Sequence, residues 1–146
     1  MMSNGKDIAQ HRVVETLPPK YQALATVIVS RPGIMQQSLR TLLCACPSIA
    51  VVASLGDGLS ALNHVAAHKP GLLVVDCNLL DDEVAALLDG VKQLQPPTRC
   101  LVLTRSHRQE VNALAHGADA ALPHDGSFQE LQAVLAQMRT AHPAQT

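Results

Sequence analysis

Polar and titratable side chains stand at the ends of several short apolar runs in this sequence, where they could do chemistry. They are Ser30, Arg31, Asp76, Cys77, Thr104, Arg105 and His124. The set combines a single carboxylate with hydroxyls, a thiol, guanidinium groups and an imidazole. Such groups serve in ion pairing, proton transfer, phosphoryl transfer and metal binding. Which of these applies depends on whether the fold brings the side chains together.

The apolar runs alternate with helical patterns, which predicts five consecutive βα units. The runs at 25–29, 49–55, 72–75, 99–104 and 120–122 are aliphatic or β-branched and are bounded by Gly, Pro or polar residues, as is typical of buried strands. Right-handed crossovers then give a three-layer α/β/α sandwich around a parallel sheet. Because the carboxyl ends of parallel strands meet at one edge, we expect the polar side chains to gather there.

Helix boundaries are marked by capping residues. Leu39, Leu42 and Leu43 form an apolar face in the first helix, and a fourth helix is expected at 109–116, closed by Gly117. Ser127 and Glu130 have the spacing of a capping box for the fifth helix. The acidic residues 81–83 are expected in the first turn of the third helix, where negative charge suits the helix dipole.

Composition favours a globular cytoplasmic domain. Hydrophobic residues make up 47% of the 146 residues, and 11 basic residues against 12 acidic ones give little support for a nucleic-acid partner. The sequence has no apolar run of membrane-spanning length and no signal-peptide core, so we expect neither membrane contact nor export. The four cysteines form no C-x-x-C pair and are predicted to be reduced thiols.

Three alternative sites follow from the residues alone. The segment GDGLSA at 56–61 follows a strand and opens a helix, as in dinucleotide-binding loops, with Asp76 about 20 residues on. A metal could be held by Asp76, Cys77, His107 and His124. A hydrolytic set of Ser30, His124 and Asp76 can also be assembled, but no nucleophile elbow surrounds Ser30.

Four segments of the chain resemble the receiver domain of bacterial response regulators, in the branch that carries a LuxR-type DNA-binding domain. They are LLCACPSIAVVASLGDGLSAL (42–62), LLVVD (72–76), CLVLT (100–104) and HGADAALPHDGSFQEL (116–131). The similarity covers about residues 25–141. It implies a sheet of order 2-1-3-4-5, an N-terminal extension at 1–24 and a C-terminal tail at 142–146. The helix-turn-helix of that branch is not expected in this chain.

The resemblance also implies a phosphorylation pocket with five parts. These are an acidic pair that holds Mg²⁺, an acceptor Asp, a switch Thr or Ser, a Lys and an aromatic residue. Asp76 matches the acceptor and Thr104 matches the switch. The other positions are replaced, by Ser30 and Arg31, by His124 and by Ala121. Mg²⁺ binding is therefore doubtful, and we expect no metal or other cofactor.

The replaced pocket predicts an ion pair between Arg31 and Asp76, since a guanidinium suits a partly buried carboxylate. The expected function is signal transduction by protein–protein contact, without catalysis and without aspartyl phosphate. A histidine kinase or another regulator is the expected partner, and 107–141 is the expected surface for a homodimer. The alternative is a working phospho-acceptor that uses Asp76.

Overall fold

The computed structural model describes residues 23–141, which form ten elements in strict alternation. The strands are β1 (Leu24–Val29), β2 (Ile49–Leu55), β3 (Leu72–Val75), β4 (Arg99–Thr104) and β5 (Ala120–Pro123). The helices are α1 (Ile34–Cys44), α2 (Gly58–His68), α3 (Asp81–Leu94), α4 (His107–Ala115) and α5 (Phe128–Ala141). The predicted extension at 1–24 and tail at 142–146 lie almost entirely outside the described residues.

The five strands form one parallel sheet in the order β2-β1-β3-β4-β5, which confirms the predicted architecture. The order reverses at β1, because β2 pairs on one side of it and β3 on the other. Ligands of open α/β sheets bind at such a switch point, outside the carboxyl ends of the strands. The ends of β1 and β3 are adjacent, since Val29 is the register partner of Val75.

Successive strand residues point to opposite faces of the sheet, and this splits the core into two aliphatic layers. Val27, Leu73 and Val102 face one layer, which α2, α3 and α4 cover. Ile28 and Leu101 face the other layer, which α1 and α5 cover. Burial of each such side chain stabilises the fold by roughly 1.5–3 kcal/mol. The two layers therefore hold both sides of the switch point in place.

Helix termini follow the capping chemistry of the sequence. Ser127 and Glu130 form the predicted capping box, with the Glu130 amide donating to Ser127 Oγ at 3.1 Å and the Ser127 amide donating to Glu130 Oε1 at 3.2 Å. The fourth helix begins two residues earlier than predicted, because Ser106 caps it by accepting from the Gln109 amide. Leu42, placed on the apolar face of α1 by its spacing, is instead 39% exposed.

None of the helices between residues 23 and 141 combines the length and the apolar character that a bilayer-spanning helix needs. The four cysteines are free thiols, and three of them are buried. Burial, together with the smaller effect of the nearby Asp119 carboxylate, raises the pKa of the Cys100 thiol to about 12. The prediction of unpaired thiols is confirmed.

Candidate functional site

Asp76 lies at the carboxyl end of β3, at the switch point, and only 3% of its surface is exposed. Both carboxylate oxygens accept hydrogen bonds. The Ser30 hydroxyl donates to Oδ2 at 2.8 Å, and the Cys77 amide donates to Oδ1 at 2.7 Å. A buried carboxylate needs such donors, because an unsatisfied charge in the interior is costly.

Ser30 is fully buried at the end of β1 and links Asp76 to a third side chain. Its hydroxyl accepts from Asn78 Nδ2 at 3.1 Å while it donates to Asp76. The side-chain oxygen of Asn78, Oδ1, in turn accepts from the Arg31 backbone amide at 3.1 Å. Gln36 Nε2 also donates to the Ser30 carbonyl at 2.6 Å. Asn78 could not be singled out from the sequence, because no motif marks the residue two positions after Asp76.

Arg31 forms an ion pair with Glu83, in the first turn of α3, and the predicted pair with Asp76 is wrong. The Arg31 guanidinium donates to both Glu83 oxygens and to the Gly56 carbonyl, the last at 2.9 Å. Glu83 also accepts from the Gly58 amide at 2.7 Å. The physical reason is desolvation: Asp76 is buried and already bonded, whereas Glu83 offers two oxygens near the surface. We call Ser30, Arg31, Asp76, Asn78 and Glu83 the polar network.

The Gly56–Gly58 turn is unsuited to the nucleotide phosphates considered for GDGLSA. A phosphate at this helix terminus would need free backbone N–H groups. The Gly58 amide is bonded to Glu83, and the Ser60 amide is bonded to Asp57 Oδ1 at 2.7 Å. The two carboxylates thus hold the positions that a phosphate would take. Asp57 instead serves as the N-cap of α2.

The β4–β5 side of the same edge is much less polar. Thr104 is buried and its hydroxyl donates to the Leu122 carbonyl at 3.3 Å. The His124 amide donates to the Thr104 carbonyl at 2.8 Å, while the His124 side chain is exposed. Ala121 lies in β5 and is partly exposed. The small residue and the exposed imidazole leave this side without the cation and the aromatic ring that the resemblance implies.

A cavity of about 400 Å³ lies between α1 and the β5–α5 segment, with Asp76 in its wall. Its walls are mainly aliphatic, and its polar lining comes from five side chains. These are Ser38, Asp76, His124, Ser127 and Glu130. We call this space the apolar cavity. Sequence patterns could not reveal it, because it depends on how far α1 stands from α5.

The four side chains considered for a metal are not assembled into a site. Within the described residues no three His, Cys, Asp or Glu side chains are grouped so that they could hold a metal ion. The His107 side chain is 85% exposed and lies 4.0 Å from Glu110 Oε1. Cys77 is buried and accepts from Arg105 Nε at 3.4 Å. Burial raises the pKa of the Cys77 thiol, which disfavours the thiolate that a metal would need.

The donors around Asp76 are also a poor match for Mg²⁺. Mg²⁺ prefers carboxylates, phosphates and water in near-octahedral geometry. The oxygen atom beside Asp76 that could ligate a metal belongs to the Ser30 hydroxyl, and this hydroxyl donates its proton to Asp76. The residue that follows Ser30 is the cationic Arg31. The arrangement can hold the Asp76 carboxylate in a fixed orientation, but the other carboxylate of the polar network, Glu83, is already bonded to Arg31 and the Gly58 amide.

Topology and site position together define the class of the protein: residues 23–141 have the receiver fold, with an aspartate at the end of β3. Solved structures agree. The receiver domain of the response regulator NarL from Mycobacterium tuberculosis has a TM-score of 0.71 at 24% identity, over 80% of this chain and 97% of that one. A LuxR-family regulator from Aurantimonas sp. gives 0.71 at 22% identity, over 80% and 86%.

Sequence comparison points to the same group. The chain is 29% identical over 106 residues to the DNA-binding transcriptional activator DevR/DosR of Mycobacterium tuberculosis, covering 71% of this chain and 49% of that protein. It thus spans about half the length of this curated relative. No family model matches the chain. In fold, residues 23–141 are similar to the receiver domains of response regulators.

Proposed function

We propose that this domain is a signalling module that acts through protein–protein contact, in a conformation that does not depend on aspartyl phosphate. The observation that carries the proposal is the Ser30–Asp76 hydrogen bond at 2.8 Å, at the position where the receiver resemblance implies an acidic metal ligand. A hydroxyl there satisfies the Asp76 carboxylate within the protein. The carboxylate then has no need of a metal or a phosphoryl group to reach a stable state.

Phosphoryl transfer to Asp76 would lack charge stabilisation. Charge develops on the phosphoryl oxygens and must be offset by metal ions or fixed cations. Arg31 follows Ser30 at this edge of the sheet, but its guanidinium is bonded to Glu83 and Gly56. The Arg105 guanidinium is bonded to Cys77 Sγ. His124 stands where the resemblance implies a lysine, and an imidazole is a weaker substitute for a fixed cation. We therefore propose that the domain is not an enzyme and works without Mg²⁺, in the cytoplasm.

Two exposed apolar surfaces support a function in protein contact. On α4, Val111 is 52% exposed and Leu114 is 48% exposed, within the 107–141 surface proposed for a homodimer. On α1, Ile34 is 81% exposed. Exposed aliphatic side chains of this size favour partner contact.

Intact mass spectrometry after incubation with acetyl phosphate and Mg²⁺ tests the proposal, with Asp76→Ala as the control. We expect no mass increase in either protein. A single phosphoryl adduct in the wild type, absent from Asp76→Ala, would overturn the proposal. An adduct in both proteins would place the modification elsewhere and leave the proposal intact.

The second candidate function is a working phospho-acceptor fed by a histidine kinase. It is favoured by one observation: Asp76 and Thr104 line the same small cavity at the sheet edge, as an acceptor and a switch hydroxyl would. The same mass experiment separates the two functions. Repeating it with Ser30→Asp tests whether one restored carboxylate is enough to permit phosphorylation.

A further inference from the structure

We infer that the apolar cavity is a binding site for a small organic cation, with an aliphatic or aromatic body and an ammonium group that pairs with Asp76. The inference goes beyond the proposed function, because it assigns a ligand to the domain. Four features of the described residues carry it: the size of the cavity, its lining, its charge and the state of Asp76.

The size and lining of the apolar cavity are those of a small-molecule site. Its volume of about 400 Å³ lies within the range of ligand pockets, which are mostly apolar with a few polar groups that fix orientation. Leu39, Leu103 and Leu131 form the inner wall, and each is buried. Ile34 and Met35 line the cavity from the first turn of α1. Ile34 is 81% exposed, so a ligand there would cover apolar surface.

The charge of the cavity selects a cation. Two carboxylates, Asp76 and Glu130, contribute to its lining, whereas no lysine or arginine does. His124 is the one other titratable side chain in the lining. An anionic ligand would meet two like charges, while a cationic ligand would meet two opposite ones.

Asp76 is the group that most needs a cation. It is 3% exposed and has two hydrogen-bond donors, yet within residues 23–141 no Lys, Arg or His forms an ion pair with it. Arg31, which follows Ser30 in the chain, is bonded to Glu83, and the Arg105 guanidinium donates to Cys77 Sγ at 3.4 Å. A buried carboxylate without a counter-charge is unfavourable, and an ammonium group in the cavity would supply both charge and a hydrogen bond.

An organic cation fits better than a metal ion. A divalent metal would need several oxygen ligands around it, and within residues 23–141 no three His, Cys, Asp or Glu side chains are grouped so that they could hold one. The aliphatic walls offer such an ion nothing. The same walls favour the body of an organic amine, because contact removes apolar surface of both from water.

Isothermal titration of the full chain with 3-phenylpropylamine tests the inference, with 3-phenylpropan-1-ol as the neutral probe of similar shape. We expect saturable one-to-one binding of the amine, at least tenfold tighter than the alcohol, since hydrogen bonds to charged groups are the stronger ones. Asp76→Asn should remove the preference for the amine and leave alcohol binding nearly unchanged. Circular dichroism checks that this variant is folded.

A second variant tests the charge argument without changing Asp76. His124→Lys places a cation in the lining of the apolar cavity and should weaken amine binding severalfold by competing for the carboxylate. His116→Lys adds the same charge at the C-cap of α4, beside Asp89 and outside the cavity lining, and should leave the affinity unchanged. Amide chemical shifts should move in α1 and at the start of α5.

The inference is overturned if the amine does not bind at millimolar concentration, if Asp76→Asn binds it equally well, or if the shifts lie elsewhere. Occupation of the cavity by residues 1–22 or by a second copy of the chain would give the first of these results. None of them bears on the acetyl phosphate experiment, so the inference and the proposed function can fail separately.

Discussion

The two halves of the carboxyl edge of the sheet differ in how far their polar groups are hydrogen-bonded within the protein. Around β1 and β3, the polar network joins five side chains by hydrogen bonds and one ion pair. Around β5, His124 is exposed and the apolar cavity of about 400 Å³ separates α1 from the start of α5. The same edge is therefore tightly bonded on one side and incompletely filled on the other.

The difference comes from whether each buried polar group finds a partner within the fold. Ser30 donates to the Asp76 carboxylate, and Asn78 and Arg31 extend the same set of hydrogen bonds. On the other side, Ala121 is small and the His124 side chain is exposed. A carboxylate beside suitable donors thus closes one half of the edge, whereas the other half keeps space between α1 and the start of α5.

Ser30→Asp changes a buried residue of the polar network and should have the largest effect on the free energy of unfolding. The new carboxylate would lie beside Asp76 in a buried position, where two like charges repel each other. We expect the free energy of unfolding to fall by about 3 kcal/mol at pH 7 in the absence of divalent ions. Urea denaturation followed by circular dichroism measures this change.

Ser30→Asn is the matched control, because it has the size of Asp without the charge. It should destabilise the protein clearly less than Ser30→Asp. Addition of Mg²⁺ should recover part of the stability of Ser30→Asp alone, since two carboxylates and a divalent ion offset each other. Equal losses for the two variants would show that shape, and not charge, makes Ser30 fit.

Glu83→Ala tests the other end of the polar network. It would leave the Gly58 amide without its acceptor and Arg31 without its counter-charge. We expect a loss of about 2 kcal/mol, because an unsatisfied donor adds to the modest value of a partly exposed ion pair. Thermal unfolding monitored by circular dichroism measures it.

Asp82→Ala is the control for Glu83→Ala, since Asp82 is an exposed acidic residue in the same first turn of α3. It removes the same charge from the same helix dipole and should cost only a few tenths of a kcal/mol. If the two variants were equally destabilised, the helix dipole would explain the loss and the network would not.

Leu122→Ala probes the incompletely filled side. Leu122 borders the apolar cavity and is partly exposed, so its truncation removes few contacts. We expect a loss of about 1 kcal/mol, against about 3 kcal/mol for Leu73→Ala, which empties a fully buried position. Urea denaturation of both variants checks this, and similar losses would mean that the cavity side is as tightly packed as the rest.

The fold could be predicted from the sequence because its signals are local and repeated. Aliphatic runs bounded by Gly, Pro and caps such as Ser127 specify five βα units, and Asp76 at the end of one run marks the edge. The Arg31–Glu83 pair could not be predicted, since it depends on where the first turn of α3 lies beside β1. Geometry and desolvation determine which nearby carboxylate a guanidinium pairs with, and residue spacing predicts neither of them.

Asp57 offers the smallest effect, through pH, at the exposed margin of the polar half. The Ser60 amide and then the Ser60 hydroxyl bind its carboxylate and lower the pKa of Asp57. The folded-state pKa thus lies below the unfolded value of about 3.9, so the stabilisation is present above that pH and is lost as pH falls through the folded value. Asp57→Asn keeps a capping oxygen but does not titrate. Urea denaturation from pH 7 to pH 3 should show that the wild type has a slightly higher free energy of unfolding than Asp57→Asn, and that this difference shrinks toward low pH. A difference that stays constant with pH would show that the charge of Asp57 does not contribute to the capping of α2.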